Sequence, residues 1–281
     1  MPTRGAWLIT GCSSGFGREI ATEAIRRGFE VAATARQVKE IANLVALAPD
    51  RVIALPLDVT DPEQRRSCVA AVTERFGEIG TLVNNAGRGY LASIEEGEID
   101  DVRQLFEINV FGPLALTKLV LPAMRRQGSG LLVNISSMGG LVANPGSGYY
   151  ASSKFALEGW SEALSKEVAP LGIRVLLVEP GPFRTAWTER SLARAGSTIA
   201  DYATTTGRRM QEIGDPARRQ PGDPVRAAKV IIEAALSPSP PLRLVLGTSA
   251  MSSVREKLAA LAAELGTWEA ASTATDFPDD L

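Results

Sequence analysis

The sequence predicts an α/β fold: a doubly wound, mostly parallel seven-stranded sheet with helices on both faces. Short apolar runs alternate with longer amphipathic ones through the first two-thirds of the chain, and the short runs are continuous in Val, Ile and Leu. Continuous runs suit strands covered on both faces, the arrangement that helical crossovers produce. A third observation is the turn Gly11-Cys12-Ser13-Ser14-Gly15-Phe16-Gly17, directly after the first short run.

Strands are expected at 7–9, 30–35, 52–57, 81–83, 130–135, 174–178 and 242–246. Helices are expected from the glycine turn to about Arg27, then at 62–76, 99–126, 151–168 and 224–235. No composition shift or repeat marks a boundary, so residues 1–281 are read as one catalytic domain. Residues 183–223 are too long for an ordinary connection. They follow the sixth strand, where a ligand would lie, and are read as a substrate-side insertion. Beyond Gly247 a helical extension over about 251–281 is expected, with Leu258, Leu261 and Leu265 on one face and an acidic, frayed end at 275–281.

Composition narrows the chemistry. With 45% apolar residues the chain can fill a substantial core, and a net charge of −2 without a basic block argues against nucleic acid. Histidine is absent, which removes the serine-hydrolase triad and His-containing metal sites; no metal is expected. Cys12 and Cys68 are too isolated to form a ligand pair or disulfide framework. No apolar stretch precedes the first strand and none has transmembrane length, so the chain is read as cytoplasmic, without membrane insertion.

Gly11, Gly15 and Gly17, with Ser13, Ser14 and Phe16 between them, sit between a strand and a helix. That context suits a pyrophosphate, which needs a tight turn, close backbone approach and unpaired helix amides. A Rossmann-type dinucleotide site follows. The second strand ends Thr34-Ala35-Arg36, with no carboxylate for a ribose and a guanidinium suited to a 2′-phosphate. NADP (as NADPH) is therefore the expected cofactor, with NAD possible. Asp58 and Val59 are placed at the adenine, and Asn85, Ala86 and Gly87 where a flat cofactor lies on backbone; turn formation also explains both segments.

Tyr150 and Lys154 stand four apart on an apolar helical run and share a face. A phenol is a poor base at neutral pH, but a neighbouring ammonium favours the phenolate, and a cofactor ribose could link the two groups. Ser137, thirteen residues before Tyr150, can donate to a carbonyl or alcohol. Tyr149 is turned about 100° from Tyr150 on a helix and is set aside as a pocket or interface residue. Leu141, Val142, Tyr149, Phe183 and Trp187 are candidate pocket residues for an apolar substrate.

These motifs together resemble the classical short-chain dehydrogenase/reductase family over residues 5–247. The resemblance rests on Gly11, Gly15 and Gly17, on Asn84-Asn85-Ala86-Gly87, and on Tyr150 with Lys154. It implies a catalytic tetrad of Asn109, Ser137, Tyr150 and Lys154, with Asn109 holding a relay water and Ser137 preferred to Ser136. It further implies that Pro180, Gly181, Phe183 and Thr185 form the nicotinamide-side loop. The wording Lys154-Phe-Ala-Leu-Glu-Gly159 and Val178-Glu-Pro-Gly181 is most similar to the retinol and 17β-hydroxysteroid dehydrogenase branch. A weaker likeness continues through Trp268 and Thr275-Asp276-Phe277-Pro278. Implied partners are a small carbonyl or alcohol substrate and a second or further copy of the chain, as a homodimer or homotetramer. The alternatives are a cofactor-retaining dehydratase or epimerase, and a dinucleotide-sensing protein without catalysis.

Overall fold

The computed structural model describes residues 5–196, 199–215 and 219–277. Pro278 to the C-terminus, and parts of the expected 183–223 insertion, lie outside the described residues. In chain order the first half holds β1 (Ala6–Ile9), α1 (Gly15–Arg26), β2 (Val31–Ala35), α2 (Ala42–Val45), β3 (Val52–Pro56), α3 (Pro62–Phe76), β4 (Ile79–Asn84), β5 (Gly89–Leu91), α4 (Ile99–Phe106) and α5 (Gly112–Gln127). The second half holds β6 (Gly130–Ile135), α6 (Gly148–Val168), β7 (Ile173–Pro180), α7 (Trp187–Arg190), β8 (Leu192–Arg194), α8 (Arg208–Gly214), α9 (Pro224–Leu236), β9 (Arg243–Leu246) and α10 (Thr248–Thr273).

Local chemistry sets several of these boundaries. Asp61 caps α3 by accepting from the Glu63 and Gln64 amides, and Asp223 caps α9 in the same way; a proline follows each cap. Gly128 ends α5 in the left-handed conformation, at φ +64°.

The main sheet runs β3-β2-β1-β4-β6-β7-β9, with every pair parallel. Alternation along each strand divides the core between two faces. Trp7, Ile9, Val31 and Val133 pack against α1 and α9 through Ile20 and Ile231. Leu8, Ala32, Leu82 and Leu132 pack against α3 and α5 through Val72, Leu116 and Val120. Each Val, Leu or Ile side chain among them, fully buried, contributes about 1.5–3 kcal/mol. Both faces are therefore covered, as the continuous apolar runs imply.

Four features depart from expectation. A second, two-stranded parallel sheet joins β5 to β8 and ties the 183–223 region to the body. The expected helix at 99–126 is interrupted by a wider π-type turn, Glu107–Phe111. The combined run Ile99–Gln127 is long and apolar enough, by length and composition, to cross a membrane. Here its Leu116, Val120 and Met124 pack into the core beneath the sheet. Finally, the C-terminal helix spans Thr248–Thr273, starting three residues before the expected extension at 251. Cys12 and Cys68 are both buried, and burial pushes each thiol up to about 12, so neither is poised as a thiolate.

One buried cluster is ionic. Arg243 of β9 bonds Glu158 at 3.0 Å and Glu162 at 2.7 Å, and lies 3.5 Å from Glu179 at the end of β7. Glu179 is fully buried, and neither of its carboxyl oxygens has a hydrogen-bond partner. Burial, reinforced by the charge on Glu158, pushes the Glu179 carboxyl up to about 8. At neutral pH it holds a proton that the unfolded chain would release. Its cost to folding is absent below the unfolded value, grows as pH rises, and is complete above about 8. Glu179→Gln should therefore raise the thermal midpoint by an amount that widens from about pH 5 to about pH 9. Thermal unfolding of the two proteins across that range is the check, and a gap that narrows with pH contradicts it.

Candidate active site

A crevice opens where the strand order reverses, between the carboxyl ends of β1 and β4. Thr10 clamps these ends together. Its Oγ1 accepts from the Asn85 and Ala86 amides, each at 2.9 Å, and donates to the Val83 carbonyl at 3.3 Å. Asn85 returns the contact, with Nδ2 donating to the Thr10 and Gly11 carbonyls at 2.8 and 3.1 Å.

The glycines are required by this closeness. Gly11 and Gly15 have φ values of +71° and +57°. A Cβ on Gly11 would lie 3.0 Å from Ala86 Cα, and one on Gly17 would collide with Asn85 Nδ2 and the Gly11 carbonyl. Ser14 precedes α1 without a side-chain capping bond, and the first turn carries no acidic residue. The leading amides of α1 are left without a side-chain acceptor at the wall of the crevice. A backbone cradle of this shape and polarity fits a dinucleotide pyrophosphate.

From this cradle runs a cleft of about 670 Å³. Gly11, Ser13, Ser14, Gly15 and Phe16 form one wall, and Asn85, Ala86 and Gly87 the floor. Arg36, exposed at the tip of β2, stands at one end with Asp58 and Val59. Asp58 Oδ1 is turned to Thr60, accepting from its amide at 2.9 Å and its hydroxyl at 2.7 Å. Thr185, Trp187 and Arg190 close the opposite side.

Tyr150 and Lys154 occupy successive turns of α6. Lys154 is buried and donates to the carbonyl of Ile135, the last residue of β6, at 2.9 Å. Its Nζ lies 5.9 Å from the centre of the Tyr150 ring. Burial brings the ammonium down to about 8, against the opposing charge of Glu158 one turn on. Burial likewise raises the Tyr150 phenol, and a hydrogen bond with Ser137 pulls it the other way. Ser137 Oγ also accepts from the Gly139 amide at 3.0 Å, which fixes the hydroxyl at this end of the site. Ser136 is buried on the other side of the chain, beside Glu158, as strand alternation predicts.

Asn109 reaches the same place from the π-type turn. A Cβ on Gly87 would lie 3.2 Å from Asn109 Oδ1 and 3.8 Å from Lys154 Nζ. The Asn109 side chain is fully engaged: Oδ1 accepts from the Arg88 amide, and Nδ2 donates to the Arg88 carbonyl and to Ser153. Four residues on stands Pro113, which has no amide, so the Asn109 carbonyl lacks its α-helical donor.

Not every expected residue reaches the cleft. Gly17 lies behind the turn, and Tyr150 and Lys154 approach from beyond Gly87. Pro180 ends β7, and the Gly181 amide donates to the Leu246 carbonyl at 3.0 Å. The Phe183 ring packs edge-on against Phe16 at 5.1 Å and joins the core, so it is not a pocket wall. Tyr149 donates to the Ile94 carbonyl at 2.6 Å. Of the apolar pocket candidates only Trp187 lines the cleft, 5.7 Å from the Tyr150 ring. Arg88 and Arg190 also line it, with no motif in the sequence to mark them.

Comparison with known proteins agrees with this geometry. The family model for short chain dehydrogenase matches residues 6–195. A crystal structure of a short-chain dehydrogenase from Streptomyces avermitilis is 44% identical with a TM-score of 0.91, covering 96% of this chain and 99% of that one. Among curated relatives, Oxidoreductase BOA17 of Botryotinia fuckeliana is 34% identical over 96% of this chain and 98% of its own. The 3-ketodihydrosphingosine reductase of Bacteroides thetaiotaomicron is 35% identical over 85% and 87%. The 17-beta-hydroxysteroid dehydrogenase type 1 of Homo sapiens is 34% identical over 84% and 75%. Relatives of several kinds match alike, so the narrower likeness to the retinol and 17β-hydroxysteroid branch is not singled out. A parallel sheet with a glycine cradle at its reversal point, and a Tyr–Lys pair beside it, thus accompany direct sequence kinship: the chain is an enzyme of the short-chain dehydrogenase family.

Proposed function

We propose that this enzyme transfers a hydride between NADPH and a fairly apolar ketone or secondary alcohol. The observation that carries the reading is the convergence of Ser137, Tyr150 and Lys154 beside the Gly87 end of the cleft floor. Bound NADPH would supply the hydride. Gly11, Ser13, Ser14, Gly15 and Phe16 would hold its pyrophosphate, Asp58 and Val59 its adenine, and the backbone around Gly181 and Thr185 its nicotinamide.

Ser137 donates a hydrogen bond to the substrate oxygen, and Tyr150 gives or takes the proton at that oxygen. Lys154 supplies the positive charge that favours the phenolate when an alcohol is oxidised. The carbonyl of Asn109, whose α-helical donor is removed by Pro113, is the acceptor assigned to a relay water. Residues 183–223 cover the substrate side, with Trp187 against the reacting end. A ketone or secondary alcohol on a hydrocarbon frame is supported by the names of two relatives, a steroid dehydrogenase and a ketodihydrosphingosine reductase. The reading takes the chain as one catalytic domain, cytoplasmic and homo-oligomeric.

A panel of ketones and alcohols, followed at the reduced-nicotinamide absorbance with both cofactors, tests the assignment. Tyr150→Phe should lower kcat by about 10²–10⁴. Its NADPH affinity, measured by fluorescence titration, should remain near wild type; retained turnover removes Tyr150 from its role. Arg36→Leu should reduce kcat/KM with NADPH by roughly 10–100-fold, the worth of a charge-assisted hydrogen bond, while barely affecting NADH. Equal losses with both cofactors contradict the phosphate role.

Reduction needs the neutral phenol, which burial preserves through neutral pH, so its rate should be flat there. Oxidation needs the phenolate, so its rate should climb with pH. Steady-state profiles in the two directions check these signs, and parallel profiles refute the shared tyrosine.

A further inference from the structure

Helix α10 is anchored only at its root. Ala250 and Val254 are buried, whereas every residue from 255 to 273 is exposed. Leu258, Leu261, Leu265 and Trp268 are 59%, 41%, 65% and 67% exposed, far more than an unpartnered helix face needs to show by chance.

Their spacing is specific. Met251, Val254, Leu258, Leu261, Leu265 and Trp268 follow one another in alternating steps of three and four. That is a narrow seam of period 3.5, with 251, 258 and 265 at a and 254, 261 and 268 at d of a heptad. The flanking e and g positions then hold Arg255, Lys257, Glu264 and Glu269, with Ala262 between them.

The charges choose an orientation. In a parallel pair, g faces the following e of the other helix, so Glu264 would meet Glu269 and Lys257 only Ala262. In an antiparallel pair, g faces g, so Lys257 meets Glu264 twice by symmetry. The exposed part of the apolar seam is complementary to itself in the same register: Leu258 opposes Leu261 twice by symmetry, and Trp268 opposes Met251, while Val254 stays buried at the root. With Arg255 and Lys257 against Glu256, Glu264 and Glu269, the helix has no excess positive charge to seek an anionic membrane.

We propose that α10 is a dimerisation element that pairs with α10 of a second copy as an antiparallel coiled coil. The interface is isologous and closed, as two-fold pairing requires. It is independent of the catalytic reading, because none of its residues lines the cleft.

The test is light scattering on the full-length protein, with turnover and far-ultraviolet circular dichroism as controls for folding. Leu261→Glu/Leu265→Glu should halve the assembly mass and leave turnover in place. Lys257→Glu, a surface change, should weaken association roughly tenfold by replacing attraction with repulsion at both ends. Lys257→Glu/Glu264→Lys should restore it. An unchanged mass in the double glutamate variant, a monomeric wild type, or failure of the charge reversal to recover association overturns the proposal. Co-sedimentation with phosphatidylcholine vesicles that the double glutamate variant abolishes would also overturn it, and would assign the face to lipid.

Discussion

Two strand ends brought into backbone contact are the constraint on which the catalytic edge of this enzyme depends. The tips of β1 and β4 approach so closely that Gly11 meets Ala86 with no room for a side chain. The side chains of Thr10 and Asn85 hold that approach with four hydrogen bonds, two joining the pair and two reaching Gly11 and Ala86. The crevice floor, the exposed amides of α1 and the position of Gly87 beside Lys154 all follow from it. A side chain at Gly17 would push Asn85 outward and disturb every one of these together.

A buried polar chain carries this order sideways through the sheet. Asn84 donates to Asn134 at 2.8 Å, and Asn134 donates to Ser161 of α6 at 2.8 Å. Leaving any one of these groups unpaired in the interior would cost about 1–3 kcal/mol. Helix α6 is thereby located against the sheet by directional bonds as well as by packing. Lys154 adds a third directional contact, at the end of β6. The Tyr150 ring is positioned by a helix that has little freedom to slide.

Much of this was legible in the sequence because it rests on periodicity and backbone chemistry. All seven strands of the main sheet are visible as apolar runs, and the glycine turn is visible because only glycine satisfies its φ values. Tyr150 and Lys154 are legible as a pair once a strand and a helix are placed around them. Other features leave no local trace. β5 and β8 are three residues each and about a hundred residues apart, so their pairing is settled only by tertiary packing. The Asn109 turn could have been suspected from Pro113, whose missing amide disrupts the helical ladder four residues earlier. Phe183 lies in the core because Phe16 offers an aromatic partner, a contact between distant segments that no spacing rule encodes. Arg88 and Arg190 reach the cleft through loop geometry alone.

Tyr150, Lys154, Glu158 and Glu162 succeed one another every four residues along α6, and Arg243 grips the last two. Their common stripe makes the length of this helix as consequential as its composition. One residue added between Lys154 and Glu158 would rotate everything beyond it by about 100°. The carboxylates would swing away from Arg243, and Ser161 would leave Asn134. Substitutions here can be absorbed one side chain at a time, whereas a change of count cannot. Over natural variation, α6 should therefore accept exchanges on its outer face and reject insertions or deletions throughout its span.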